Sequence, residues 1–183
     1  MAKYVRRDGL LIRVGSKEWR WYIANRLKLA GKFKPTGHKE RDAVCKEALS
    51  LVGIHEEPKG SNEGAQVREI QSSTGAYGEP WCVSTVQYVW KKTLHSTWAM
   101  DTANAYYLET YAKKFGCTIP RPVAGCAVVY HLGEGHAGTV VRVNGNGTFW
   151  AVEGNWGDAV VKILRDPKAI PCTFILRPEL KRG

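Results

Sequence analysis

The sequence predicts an α+β domain in which helices come first and an antiparallel sheet follows. Three observations predict it. Up to about residue 115 the apolar residues recur three and four apart, the spacing of one face of a helix. From Gly125 onward the pattern changes to period two and to β-branched residues, the mark of strands. Helical runs followed by strand runs, rather than alternating with them, belong to the α+β class. The 183 residues are 44% apolar with seven Trp and eight Tyr, enough for one packed domain and an appendage.

The elements follow in order. Residues 10–15 read as a short strand closed by Gly15. Ser16 is placed to cap a helix running to Lys34, with Trp19, Tyr22, Ile23, Leu27 and Ala30 on one face and Gly31, Pro35 and Gly37 at its end. A second helix is expected over residues 41–52, its apolar face supplied by Ala43, Val44, Ala48, Leu49 and Leu51 and its stop by Gly53. Residues 56–64 are rich in turn formers and read as a loop. A short helix over 65–72 leads through the Gly- and Ser-rich stretch 72–79 to Pro80-Trp81-Cys82, which opens a helix with apolar residues at 83, 86, 89, 90 and 94. Pro80 suits a first helical position because its missing N–H has no partner there anyway. Another helix is expected over 102–115. Strands are expected over 126–130, 139–143, 148–152, 160–164 and 172–176, with the second and third joined as a hairpin by Asn144-Gly145-Asn146-Gly147.

Charge divides the chain. Residues 1–38 hold ten Lys or Arg against Asp8 and Glu18, so this segment carries eight of the ten net positive charges. Such a segment can show its charges to water or seek anions: wall polymers, anionic lipid or, least supported because no recognised motif accompanies it, nucleic acid. No apolar stretch of about 18 residues is present, so no membrane span is expected. The basic N-terminus is followed by no long apolar region, and no signal peptide is read. Five cysteines at 45, 82, 117, 126 and 172 form no CxxC pair, so neither a zinc site nor a redox dithiol is suggested. One reactive thiol and four inert ones is the simplest reading.

Cys82 is the candidate for reactivity. In the first turn of a helix, unpaired N–H groups and the dipole favour negative charge, so a thiol there ionises more easily, and the thiolate is the nucleophile. A cysteine nucleophile needs a base, and the base needs an orienter. His136 lies just before the first hairpin strand, Glu153 and Asn155 just after the second. A four-residue loop at 144–147 puts His136 opposite Asn155 with Glu153 on the diagonal; a two-residue turn at Asn144-Gly145 puts it opposite Glu153. In both registers the three share one face of the sheet, about 4.5–8 Å apart, whereas a three-residue loop with a bulge would break the argument. His136 can take the thiol proton and return it to a leaving amine, with Glu153 or Asn155 fixing its tautomer and tilt. Gly133, Gly135, Gly138, Gly154 and Gly157 flank these residues and allow close approach of backbone and substrate. His38, His55, His95 and His131 have no comparable setting in the sequence.

These residues carry a resemblance. Gly60-Ser61-Asn62, Gly78-Glu79-Pro80-Trp81-Cys82, His136-Ala137-Gly138-Thr139-Val140-Val141 and Val152-Glu153-Gly154-Asn155-Trp156-Gly157 resemble, in order and spacing, the CHAP domain, the cysteine- and histidine-dependent amidohydrolase/peptidase family. The resemblance covers roughly residues 39–178. It implies a papain-like CHAP fold and a CHAP catalytic domain over 39–183, with residues 1–38 as a basic N-terminal segment. It implies a peptidoglycan hydrolase most like a bacteriophage endolysin: an N-acetylmuramoyl-L-alanine amidase or an endopeptidase, the choice left open. By motif, Cys82 is the nucleophile and one oxyanion donor through its N–H, His136 the base and acid, Glu153 the orienter and Asn155 a support of the imidazole or of the site's polar network. Trp81, Tyr77 and Trp156 are expected either as walls of the substrate groove or as aromatic core packing. No calcium loop precedes the cysteine, since residues 58–81 hold only the scattered acids Glu63, Glu69 and Glu79, so no metal and no cofactor are expected. A monomer is expected, held in the host bacterial cytoplasm until release to the wall. The competing readings are a secreted antibacterial effector amidase and a non-catalytic wall-binding or virion module.

Overall fold

A computed structural model describes residues 4–7, 10–13 and 33–181. The helix expected over 16–34 lies outside the described residues, except that Phe33 and Lys34 are not helical. The expected strand near residue 10 is present as β2 (Leu10–Arg13), paired antiparallel with β1 (Tyr4–Arg7), which the sequence pattern did not announce.

Four helices follow: α1 (Lys39–Ser50), α2 (Ala65–Gln71), α3 (Cys82–Leu94) and α4 (Ala105–Lys114). Then come β3 (Thr118–Ile119), β4 (Ala127–Tyr130), β5 (His136–Val143), β6 (Phe149–Glu153), β7 (Val161–Arg165) and β8 (Cys172–Ile175). These six form one antiparallel sheet in the order β3-β8-β4-β5-β6-β7. α1 and α3 pack on each other and on β5, while α4 packs on β4 and β8. β4 lies in the middle of the sheet, and every one of its residues is buried. The chain is therefore α+β, with its helices on the sheet. Among the described residues no helix is long and apolar enough to cross a membrane.

The helix α3 departs from its sequence pattern in an informative way. Its apolar spacing suggests a one-sided helix, yet all of residues 82–90 are buried, polar ones included. The hydroxyls of Ser84, Thr85 and Tyr88 and the amide of Gln87 each have a partner, which offsets the desolvation cost of burial, whereas the buried Trp90 indole N–H has none. Gln87 clamps Trp98, donating Nε2 to its carbonyl (2.6 Å) and accepting its N–H (2.9 Å). Ser84 meets Thr74 Oγ1 (2.7 Å), and the Ser84 carbonyl accepts from Ser73 Oγ (2.8 Å). Val83, Val86, Val89 and Trp90 supply the apolar part, each contributing about 1.5–3 kcal/mol by full burial. α3 is thus a rigid central post, and Cys82 stands at its head.

The hairpin β5–β6 also differs from both expected registers. The loop closes with Asn144 N–H donating to the Thr148 carbonyl (2.8 Å), and Val143 pairs with Phe149 rather than Thr148. A bulge at Val141 then absorbs the extra residue, so that Val140 faces Ala151 and Thr139 faces Val152. The tighter loop and the bulge cancel, and the end that carries His136 regains the register that a four-residue loop would have given.

Candidate active site

Three elements converge on one point. Cys82 is the first residue of α3, with Trp81 as the N-cap position and Pro80 outside the helix rather than in its first turn. His136 is the first residue of β5, and Glu153 the last of β6. In the restored register they sit on the diagonal, and His136 Nε2 donates to Glu153 Oε2 at 3.0 Å. Gly138 is needed for this approach, because a Cβ there would lie 2.7 Å from Glu153 Cγ. Gly154 lets β6 close on α3: a Cβ there would run into Thr85 Oγ1 and come within 2.8 Å of Thr85 Cβ. Of the other flanking glycines, Gly135 packs against Ala105, whereas Gly133 and Gly157 have open space around them.

Burial alone would push the His136 imidazole toward neutrality. Hydrogen bonds with the Cys82 side chain and with Glu153, and the attraction of both groups, outweigh it and push its pKa up to about 9. With Nε2 engaged by the carboxylate, Nδ1 is the nitrogen left to exchange a proton with Cys82. The ring is held between aromatic neighbours, stacked on Tyr130 (5.8 Å, 19°) and tilted against Trp156 (5.2 Å, 55°).

Glu153 is fully buried, which by itself would favour the neutral acid. Two bonds from Arg165, Nε to Oε1 (2.9 Å) and Nη2 to Oε2 (2.6 Å), together with His136, hold its carboxyl below the usual range. The buried Arg165 guanidinium in turn lies over the Trp156 ring at 4.1 Å and over Tyr130 at 5.2 Å. Arg165 and Tyr130 were not singled out from the sequence. Their signal there, a charged residue at a strand end and a tyrosine among apolar ones, is shared by many structural residues.

Asn155 takes another place than the one the motif suggested for the imidazole. The strand ends at Glu153, and Asn155 turns away in a left-handed conformation (φ 55°) that asparagine tolerates. Its amide lies 3.1 Å from Asn62 Oδ1. Turned so that its nitrogen meets the nearby carboxylate, it donates to Glu56 Oε1 (3.1 Å) and accepts the Trp81 backbone N–H (3.2 Å). Glu56 is buried and also accepts from the Trp81 indole N–H (2.9 Å) and the Asn62 N–H (3.0 Å). It is carried there by residues 53–56, which bond to 158–160 through Gly53 N–H to Val160 O (2.9 Å) and Glu56 N–H to Asp158 O (2.9 Å). Asn155 therefore belongs to a network under the head of α3. The sequence reading left Glu56 in a loop of turn formers and missed it.

The three aromatic residues separate. Trp81 is fully buried and anchored to Glu56, so it supports the helix head and is not a groove wall. Trp156 is 38% exposed beside the histidine, and Tyr77 is 48% exposed with Arg68 over its ring at 5.0 Å. The cleft that reaches Cys82, about 290 Å³, is lined instead by Ala76, Pro80 and Asn104 and by the carboxylates Glu79 and Glu134. Burial pushes the thiols of Cys45 and Cys126 up to about 12 and that of Cys172 up to about 11, which leaves them inert as nucleophiles. Among the described residues no cluster of His, Cys, Asp and Glu is arranged to hold a metal. No family model matches this chain, and comparison with characterised proteins and with solved structures finds no match.

Proposed function

We propose that this protein is a cysteine amide hydrolase with a papain-like CHAP fold, acting on bacterial peptidoglycan in the manner of a phage endolysin. The observation that carries the reading is the convergence of Cys82, His136 and Glu153 from the head of a helix and two strand ends, with Cys82 lining a cleft open to substrate. The arrangement suits acyl transfer. The Cys82 thiolate attacks the amide carbon, forming a C–S bond and an oxyanion. The Cys82 N–H, at the first position of the helix and so without an intrahelical acceptor, is one donor to that oxyanion. The His136 imidazolium gives its proton to the amine as the C–N bond breaks. Neutral His136 then deprotonates water, which attacks the thioester, releases the carboxylate product and restores thiolate and imidazolium. Glu153, held ionised by Arg165, keeps the imidazole in the tautomer and orientation both steps need.

Digestion of purified peptidoglycan by wild type and Cys82→Ala, with mass analysis of the fragments, tests this. New fragments from wild type alone support it, and their masses distinguish an amidase from an endopeptidase. Identical null digests on several wall types would overturn it. Residues 1–38 are proposed to hold the enzyme to anionic wall polymers, so deleting them is expected to weaken pelleting with walls, most at low salt.

A further inference from the structure

A second groove, of about 340 Å³, lies at the other end of β5. His136 and Arg142 are six residues apart on this strand, which separates the groove from the catalytic histidine by about 20 Å. Its charged lining is the reverse of the cleft at Cys82. Lys34, Arg41 and Arg142 face it with His38, and among the described residues no carboxylate lines it. We infer that this groove, which includes Lys34 and His38 of the basic N-terminal segment, is an anion-binding site for a phosphate-bearing polymer, distinct from the catalytic cleft.

Four observations support it. Among the described residues, none of Lys34, Arg41 and Arg142 is ion-paired with a carboxylate. Arg41 is fixed in place: its Nε donates to the Leu180 carbonyl (2.8 Å), and its stem lies against Gly125, where a Cβ would be 2.8 Å from Arg41 Cβ. Holding the guanidinium in advance reduces the entropy lost when an anion binds. Asp42, next to Arg41 in the chain, is engaged by Thr36, whose N–H (2.7 Å) and Oγ1 (2.6 Å) both donate to Oδ1. Positive charge also accumulates beyond the rim, where Arg142 adds to burial in holding the Lys162 ammonium below its ordinary range. Lys34, Arg41 and Arg142, gathered with no paired carboxylate among the described residues, are an unfavourable arrangement that a bound anion relieves.

The lining also selects among anions. Among the described residues no Trp, Tyr or Phe faces the groove, and its apolar walls are Pro35, Pro122, Val123 and Val143. Bases would find no stacking platform, so the chemistry favours a phosphate chain without bases over nucleic acid.

The test uses the full chain and linear inorganic polyphosphate, with binding followed across a salt series. Arg142→Gln and Lys34→Gln, both at exposed positions, are each expected to weaken binding about tenfold. Each should also reduce the salt slope by about 1. Lys91→Gln, an equal loss of charge on α3 outside the groove, should leave affinity within about twofold. Unchanged thermal midpoints in the three variants would confirm that folding is not the cause. Equal losses in all three would show a net-charge effect and overturn the site. No binding by wild type would do the same, and tighter binding of an oligodeoxythymidylate of matched charge would overturn the ligand class. None of these readouts depends on hydrolysis.

Discussion

Two histidine–carboxylate pairs lie on either side of the turn that joins β4 to β5, and only one of them has the surroundings of a reactive site. His131 Nε2 meets Glu109 at 3.1 Å, much as His136 Nε2 meets Glu153 at 3.0 Å. The His131 side chain is 39% exposed and that of His136 only 11%. Glu109 is held by Thr173 Oγ1 (2.6 Å) and by Lys113 (2.6 Å), an exposed cation, whereas Glu153 is held by the buried fork of Arg165. His136 also has a thiol on its other side. Glu109 ties α4 to β8 and the end of β4, so its pair fastens helix to sheet. A histidine–carboxylate hydrogen bond is thus not a site in itself. What distinguishes the second pair is a thiol beside the imidazole and a carboxylate whose charge is fixed from behind.

The comparison can be broken most sharply at the histidines. His136→Ala is expected to lower kcat/KM on peptidoglycan on the order of 10³-fold or more, and His131→Ala to leave it within about twofold. Equal losses would erase the distinction. At the cations behind the carboxylates, Arg165→Ala leaves Glu153 buried without its counter-charge and should cost about 3–5 kcal/mol in denaturant unfolding. Lys113→Ala removes an exposed partner and should cost under about 1 kcal/mol.

The pH profile sharpens the comparison further. Because the folded state raises the His136 pKa to about 9, the pair stabilises the fold fully below the ordinary histidine value. That contribution is lost as pH rises through about 9. The alkaline limb of kcat/KM should fall in the same region, where the imidazolium gives up its proton. Glu153→Gln removes an attraction for that proton and should move the limb downward, while Glu109→Gln should leave it in place. A smaller loss of activity than at His136 is expected at Asn155. Asn155→Ala should reduce kcat about tenfold through a loosened head of α3, with the alkaline limb unmoved, since Asn155 bonds Glu56 and the Trp81 N–H rather than the imidazole. A shifted limb would place Asn155 on the histidine after all.

The sequence made one of the two pairs legible and hid the other for a physical reason. His136 and Glu153 flank a hairpin, so strand periodicity alone puts them on one face, and the helix-opening Pro80-Trp81-Cys82 marks the thiol. Even there the loop and the Val141 bulge cancelled, which period counting could not foresee. His131 and Glu109 meet because α4 packs across the sheet, a tertiary contact with no local signature. The same holds for Glu56, brought under Trp81 by a pairing of residues 53–56 with 158–160, and for Arg165. Helix order and most strands were readable because burial imposes their periods. The polar residues of α3 were not, because their burial depends on partners such as Trp98 and Ser73 outside the helix.

Activation of Cys82 by His136 can be tested without any substrate, by the rate at which each of the five cysteines is alkylated. Native protein treated with limiting iodoacetamide and mapped by mass should be modified at Cys82 far ahead of Cys45, Cys117, Cys126 and Cys172. That lead should collapse in His136→Ala and persist in His131→Ala. Alkylation of Cys82 no faster than that of the part-exposed Cys172, or a lead indifferent to His136, would contradict the account.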